Sequence, residues 1–331
     1  MKAFVLKSYS SKPQLSNIPI PTPTRDEVLV KVAYCGVNQA DLKIFSQNYG
    51  NSISFPLTMG SEIVGTLNGE KRVAIHPYFA CGKCTYCQKG ASIFCKTPWK
   101  LFGVHKNGGY AQYVAVPKKS IIPIPSSLSF PDACALTLSA GTAFRMVTVL
   151  ADIKKGDWVA VTAAASGVGI YSTQLAKYMG GNVIVLAGDD KKLGVLKSFG
   201  IKHLINYQSA NFQAKIMDIT GDHGIDTLID TVGGVLFESL LPLVSKEGTT
   251  VFCGATAGKD IRINMADMYY RQKKLIGSSG FTSAELRNIF HLVVKNKVKP
   301  VIDSIFPIEE LPKAWDRLRK RQVFGKILIK I

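Results

Sequence analysis

Residues Val159–Gly181 read Val-Ala-Val-Thr-Ala-Ala-Ala-Ser-Gly-Val-Gly-Ile-Tyr-Ser-Thr-Gln-Leu-Ala-Lys-Tyr-Met-Gly-Gly. Val159–Thr162 is short, apolar and β-prone, as a buried parallel strand is. Ala163–Gly167 is a run of very small residues. Val168–Met179 carries apolar residues at helical spacing, and Gly180–Gly181 ends it. A strand, a tiny-residue turn and a helix form a unit suited to phosphate. Small side chains let backbone N–H groups approach a pyrophosphate, and the helix N-terminus favours its charge. Ala164 and Ser166 stand at the first two glycine positions of the G-x-G-x-x-G fingerprint and Gly169 at the third. Small residues also close ordinary strand–helix packing, so the turn alone does not decide.

The next segment adds to it. Asn182–Ala187 is a second apolar strand, followed by Gly188-Asp189-Asp190-Lys191-Lys192. NAD enzymes usually end this strand with a carboxylate for the ribose 2′-hydroxyl. Here Gly188 takes that position, Asp189 falls one step late, and Lys191 and Lys192 suit a 2′-phosphate. The pattern favours NADP(H) over NAD(H).

At 331 residues two domains are expected. Hydrophobic content of 47% against 19% charged residues marks a globular chain. No apolar run reaches the length of a membrane span. Met1–Lys7 reads as a first strand without an apolar leader, so a cytoplasmic location is expected. The formal charge of +18 suits phosphate-bearing ligands. Lys and Arg are scattered, however, and no basic stretch is interleaved with aromatics, which argues against nucleic acid.

Residues 1 to about 128 read as all-β, with strands at Val28–Ala33, Arg72–Ile75 and Tyr110–Val116. Residues 131–150 read as helical. From Val159 onward strands alternate with helices, with later strands at Asp226–Asp230, Gly248–Phe252 and Lys274–Gly277, which indicates a doubly wound parallel sheet. Ser283–Asn296 reads as a helix and Gln322–Ile331 as a closing strand.

Four of the seven cysteines are clustered as Cys81-x-x-Cys84-x-x-Cys87 and Cys95. Without a secretion signal this reads as a four-thiolate metal site, not a disulfide set. Four thiolates suit zinc, and a closed shell makes the site structural. An iron–sulfur cluster is the rival. Cys35, Cys134 and Cys253 read as buried small hydrophobes.

Together these features resemble the medium-chain dehydrogenase/reductase superfamily over nearly the whole chain. The signs run in order: Cys35-Gly36-Val37-Asn38-Gln39-Ala40-Asp41-Leu42, Gly60-Ser61-Glu62-Ile63-Val64-Gly65, the cysteine lobe, Gly108-Gly109-Tyr110-Ala111-Gln112-Tyr113, the turn, and Gly325-Lys326-Ile327-Leu328-Ile329. The resemblance implies an α/β protein with a GroES-like, β-rich catalytic domain (residues 1–141, with a structural zinc lobe at 81–95). A Rossmann cofactor domain (142–282) and a C-terminal return to the first domain (283–331) follow, with an active site in the cleft. It also implies a dimer or tetramer built partly on Leu275–Gly280.

Zinc alcohol dehydrogenases of that family hold a catalytic zinc with a cysteine, the histidine of Gly-His-Glu and a third ligand. Here Asn38 and Ser61 stand at the first two positions, and the third falls near Leu138. Neither Asn nor Ser is a competent zinc ligand beside thiolate and imidazole, so one structural zinc and no catalytic zinc is expected. A second metal site from His76, Glu62 and Asp41 has no supporting local spacing, and Glu62 simply pairing with a basic neighbour is the alternative.

The chain most resembles the quinone oxidoreductase branch, through Gly36-Val37-Asn38, Ala163–Gly169 and Ile205-Asn206-Tyr207. That branch usually lacks the cysteine lobe. The resemblance implies that Ser166, Gly167, Val168 and Gly169 hold the pyrophosphate, that Gly188, Lys192 and Tyr207 face the 2′-phosphate, and that Thr142 and Gly254 lie by the nicotinamide. Asn38 or Ser61 would donate to the developing oxyanion, and Tyr49 or Tyr34 would be a proton donor. Phe45, Tyr49, Trp99 and Phe281 are candidates to set substrate size. The expected activity is NADPH-dependent hydride transfer to quinones or α,β-unsaturated carbonyls. The alternatives are an alcohol or polyol dehydrogenase with an atypical site, and a non-enzymatic RNA-binding or structural role.

Overall fold

The computed structural model describes residues 1–9, 11–45, 53–97 and 100–331. They form two compact units. One comprises Met1–Gly141, Gly280–Asn296 and Pro300–Ile331, the other Thr142–Ser279 with Lys297–Lys299.

The second unit is built on a six-stranded parallel sheet. Its strands, in chain order, are Trp158–Val161, Asn182–Ala187, His203–Asn206, Ile225–Asp230, Val244–Phe252 and Lys274–Gly277. Across the sheet they lie in the order third, second, first, fourth, fifth, sixth. The chain thus starts at the centre, winds outward, and returns to lay Ile225–Asp230 on the other side of Trp158–Val161. The winding reverses between these two strands, and in such sheets ligands bind beyond the strands' carboxyl ends at that point. The inner strands are buried on both faces, which explains their unbroken apolar runs: Val159, Ala160, Val161, Ile184, Val185 and Leu186 are all inaccessible.

The first unit is organised around a seven-stranded sheet. Glu27–Gly36 is its hub, pairing antiparallel with Glu62–Leu67, Tyr113–Pro117 and the closing strand Lys326–Lys330. The core beneath it includes Phe4, Ile63, Tyr110, Trp315 and Ile327. Trp315 lies on the helix Leu311–Arg319 and meets the rings of Phe4 and Tyr110 edge-on, with centroids 6.0 Å away in each case.

The first 128 residues are not all-β. Gln39–Phe45 is a helix and Thr85–Gln88 a single helical turn. The Asp41 carboxylate accepts the Asn38 N–H at 3.0 Å, as the third residue of a capping box does. That local bond favours helix inside a stretch expected to be all-β. The expected strand at Tyr110–Val116 forms at Tyr113–Pro117. Residues 131–150 are helical in three pieces, Phe130–Leu136, Ser139–Phe144 and a π-helical turn at Arg145–Leu150. Among the described residues no single helix is long and apolar enough to cross a membrane. The bent pair in residues 130–150 approaches that composition, but Ala133–Leu136, Ala140, Ala143, Met146 and Val147 are core residues.

Candidate functional site

The turn after Trp158–Val161 is shaped by three contacts. Ala163 adopts a left-handed backbone with φ of 45°, which costs an alanine about 1 kcal/mol or more. Ser166 caps the helix Gly167–Tyr178, its hydroxyl accepting the Gly169 N–H at 3.1 Å. Gly169 lies so close to the turn that a Cβ would overlap the Ala163 carbonyl oxygen. The first amides of a helix lack intrahelical acceptors. The serine satisfies that of Gly169, and those of Gly167 and Val168 face the end of the helix. Strain, a crowded glycine and outward amides in one turn suit a pyrophosphate.

Gly188 ends the second strand and Tyr207 follows the third. A Cβ on Gly188 would sit 2.7 Å from the Tyr207 hydroxyl, so the glycine makes room for the tyrosine. Asp189 is committed to capping the helix Asp190–Lys197, accepting from the amides of Lys191 at 2.8 Å and Lys192 at 3.4 Å. Its Oδ1 is therefore engaged by the helix N-terminus. Lys192 lies in the first turn of that helix and is half-buried.

Asp230, at the end of the fourth strand, is inaccessible to solvent. It accepts from the Thr162 hydroxyl at 2.7 Å and from the amides of Val232 and Gly233. The Thr162 hydroxyl in turn accepts the Thr231 N–H. This network ties together the two strand ends at the winding reversal. Burial pushes the Asp230 carboxyl up, against those hydrogen bonds. Gly254 follows the fifth strand with φ of 85°, and Thr142 is half-buried on Ser139–Phe144. Ser166, Gly188, Tyr207 and Gly254 thus all belong to segments that leave the carboxyl edge of one sheet.

In the first unit, Asn38, Glu62 and Lys326 form a buried cluster. The Lys326 ammonium donates to the Asn38 side-chain oxygen at 2.8 Å and to the Val37 carbonyl at 3.0 Å. It pairs with Glu62 at 2.6 Å, the two side chains being 3% and 0% exposed. The other Glu62 oxygen accepts the amides of Leu138 and Ser139 at 2.9 and 3.0 Å. A Cβ on Gly36 would overlap the Glu62 carboxylate, so that glycine admits the charge. Ser61 is buried, and its hydroxyl donates to the Phe102 carbonyl at 2.7 Å. The Ser61 proton is thereby spent on the backbone, and the oxyanion-donor role considered for it does not fit this geometry.

Lys326 lies in the closing Gly325–Ile329 motif, where its sequence position carries no sign of the Asn38 contact. A lone cation heading the buried strand Lys326–Lys330 and a lone acid heading Glu62–Leu67 are each prohibitive alone. Two opposite charges of that kind in apolar strands are the signal for a buried pair.

The Cys81, Cys84, Cys87 and Cys95 sulfur atoms all lie within 4.8 Å of one another. Cys81 and Cys87 are 3.8 Å apart, and Cys84 and Cys95 3.9 Å. Zinc–thiolate bonds of about 2.3 Å in a tetrahedron put sulfurs about 3.8 Å apart, so the four residues fit zinc. Backbone amides of Lys96 and Cys87 point at the Cys84 sulfur and bring its thiol down to about 6.

His76 is not available to a metal. Its ring nitrogens lie 2.8 and 3.0 Å from the carbonyl oxygens of Tyr78 and Phe281, and burial pushes its pKa down. Glu62 is paired with Lys326, and among the described residues only the four cysteines lie close enough together to hold a metal, so the alternative His76, Glu62 and Asp41 site is not assembled. His105 accepts the Leu101 N–H at 3.1 Å. Phe281 is fully buried against His76 and Tyr78, which makes it core and not pocket wall. Cys35 and Cys134 are buried as expected, whereas Cys253 is half-exposed after its strand. Tyr49 and Trp99 lie outside the described residues.

Two family models match the chain in succession: the alcohol dehydrogenase GroES-like domain over residues 24–126 and the zinc-binding dehydrogenase domain over residues 167–295. Acryloyl-coenzyme A reductase of Sulfurisphaera tokodaii is 25% identical, with all of both chains covered. Quinone oxidoreductase of Rattus norvegicus is 28% identical over 95% of this chain and 92% of its own. The crystal structure of an NAD-dependent alcohol dehydrogenase superposes with a TM-score of 0.95 at 29% identity, covering both chains fully.

Proposed function

The chain is an oxidoreductase of the medium-chain dehydrogenase/reductase superfamily, and within it we propose an NADPH-dependent reductase of quinones or activated alkenes that works without catalytic zinc. One observation carries this reading. Where zinc-using members place metal ligands, this chain has Asn38 with its oxygen turned onto Lys326, Ser61 with its hydroxyl spent on Phe102, and a backbone amide of Leu138 spent on Glu62. None of these is free to bind a metal, and none resembles the nitrogen and sulfur donors zinc prefers.

Without a Lewis acid, an unactivated ketone lacks the polarisation its reduction needs. A quinone or enone spreads the incoming negative charge over a conjugated system and ends it on oxygen. The reduced nicotinamide supplies the hydride chemistry when bound. The chain's own contribution is to hold its pyrophosphate at Ser166–Gly169, to leave room at Gly188 and Tyr207 for a 2′-phosphate, and to offer the Asn38 side-chain N–H to the acceptor oxygen as charge gathers there. One such donor is worth about 10²- to 10³-fold in rate. The acceptor takes its proton from solvent.

That the relatives include an acryloyl-coenzyme A reductase and a quinone oxidoreductase supports this class of acceptor. The alternative, an alcohol dehydrogenase with an altered site, is favoured by the close superposition on an alcohol dehydrogenase. The test is NADPH oxidation with quinones and enones, against NAD(P)+ reduction with alcohols. Turnover only in the alcohol direction, abolished by a chelator, refutes the proposal.

We also read the protein as cytoplasmic and self-associating through the sheet edge Lys274–Gly277. That strand pairs on one side only among the described residues, and nearby Tyr269 and Tyr270 are 60% and 74% exposed. Exposed aromatics beside an unpaired edge suit a subunit contact.

A further inference from the structure

We propose that Lys326 is a positioning residue that makes the Asn38 carboxamide a committed hydrogen-bond donor, with Glu62 as its fixed counter-charge; this rests on Asn38 being the donor to the acceptor oxygen.

The orientation of the amide follows from chemistry. An ammonium only donates, so the Asn38 atom 2.8 Å from Lys326 Nζ is the oxygen. A carbonyl only accepts, so the atom 3.4 Å from the Gly36 oxygen is the nitrogen. Both ends of the amide thus give the same answer. The Asn38 backbone is held as well, through its N–H to Asp41. The two side-chain bonds hold the amide in one orientation, with one N–H on Gly36 O and the second used by neither bond.

Lys326 donates hydrogen bonds to Val37 O and Asn38 Oδ1 and forms an ion pair with Glu62 Oε2, so its ammonium is engaged on three sides. Its influence passes through Asn38. A cation on the amide oxygen draws electron density from the nitrogen and makes its remaining N–H a stronger donor, as in any charge-assisted chain of hydrogen bonds. Glu62 keeps that cation in place, anchored by the amides of Leu138 and Ser139. A burial of two charges that yields little net stability gains a purpose in this way.

Two sets of variants test the idea, using the full-length protein with NADPH and either 2-cyclohexen-1-one or 1,4-benzoquinone. Asn38→Asp keeps an oxygen for Lys326 but loses the N–H. A donor role predicts a fall in kcat of about 100-fold with the thermal transition largely retained; a purely structural link predicts nearly unchanged kcat. The paired change Glu62→Gln with Lys326→Met removes both buried charges together, so neither is left unpaired. It is expected to lower kcat about 10-fold on the enone, less on the more electron-poor quinone, with the NADPH dissociation constant unchanged. In an Asn38→Ala background the same pair should change kcat less than about twofold, because the route through the amide is gone. Equal losses in both backgrounds, or full activity of Asn38→Asp, overturn the proposal. If the wild-type protein turns over alcohols only, the functional reading falls, and the same cycle run on the alcohol decides Lys326 separately. Should the paired variant fail to fold, Asn38→Asp still decides.

Discussion

Tyr110 directs its hydroxyl at the Asp41 carboxylate across 2.6 Å, and both side chains are buried. The same Asp41 oxygen accepts the Asn38 N–H, while its other oxygen has no hydrogen-bond partner. Burial pushes the Asp41 carboxyl up to about 6, and the bonds from Tyr110 and Asn38 only partly oppose it, with Lys326 and Glu62 acting in opposite directions nearby. The ordinary value is 3.8, so the folded protein holds this proton more tightly than the unfolded chain. The stability this contributes is fully present below about pH 4 and is lost as pH rises through about 6. Asp41→Asn keeps an acceptor for both donors and cannot ionise. Relative to it, the wild-type protein should lose about 3 kcal/mol between pH 4 and pH 7. Thermal unfolding of both across that range checks this, and parallel curves contradict it.

Gly169→Ala should damage the cofactor turn, because its Cβ would overlap the Ala163 carbonyl. The turn must shift and carry the Gly167 and Val168 amides with it. NADPH affinity, followed by fluorescence titration, is expected to fall about 10-fold or more, with about 1–3 kcal/mol of stability lost. Ala163→Gly is the contrasting change: at φ of 45° it relieves strain and should unfold at the same temperature or higher. Unchanged NADPH binding in Gly169→Ala would remove the turn from the site.

The sequence was most legible where chemistry is local. The tiny-residue turn and the apolar strands of the second unit follow from short-range pattern, because a strand buried on both faces has to be apolar throughout. The cysteine cluster is equally local, its four ligands falling within 15 residues of one another in the chain. The Asn38–Lys326–Glu62 cluster is not. Lys326 and Asn38 are 288 residues apart, brought together because the closing strand pairs with Gly36 and its neighbours. Periodicity carries no information about such a meeting. Asp189 was ambiguous for another reason: a carboxylate at a strand end and one at a helix N-cap share the same turn, and only the fold shows it capping.

The proposed preference for NADPH rests on Gly188 and Tyr207. With the Tyr207 hydroxyl 2.7 Å from where a Cβ at 188 would lie, Gly188→Asp alone should clash and weaken both cofactors. Combined with Tyr207→Ser, the carboxylate has room. It would then accept from a 2′-hydroxyl and repel a 2′-phosphate. The double variant should bind NADH more tightly than NADPH, with NADPH affinity down about 10-fold or more. Wild-type protein that already prefers NADH would refute the assignment of Gly188, Lys192 and Tyr207, and leave the pyrophosphate turn standing.

The cysteine lobe should depend on a bound zinc for order. Neither the turn Thr85–Gln88 nor the short helix Ser92–Phe94 buries a single residue. Tyr86 and Phe94 are 46% and 57% exposed, with ring centroids 6.1 Å apart. A segment with so little apolar burial cannot offset its own chain entropy. A metal bound by four sulfurs already at tetrahedral spacing would supply the missing cross-link. Elemental analysis should find one zinc per chain, and Cys84→Ser should lose it. The variant is then expected to be cleaved by protease between residues 81 and 95 while both sheets keep their circular dichroism. Two zincs per chain would contradict the reading of Asn38 and Ser61. A protease-resistant lobe in the zinc-free variant would show that packing, and not metal, holds it.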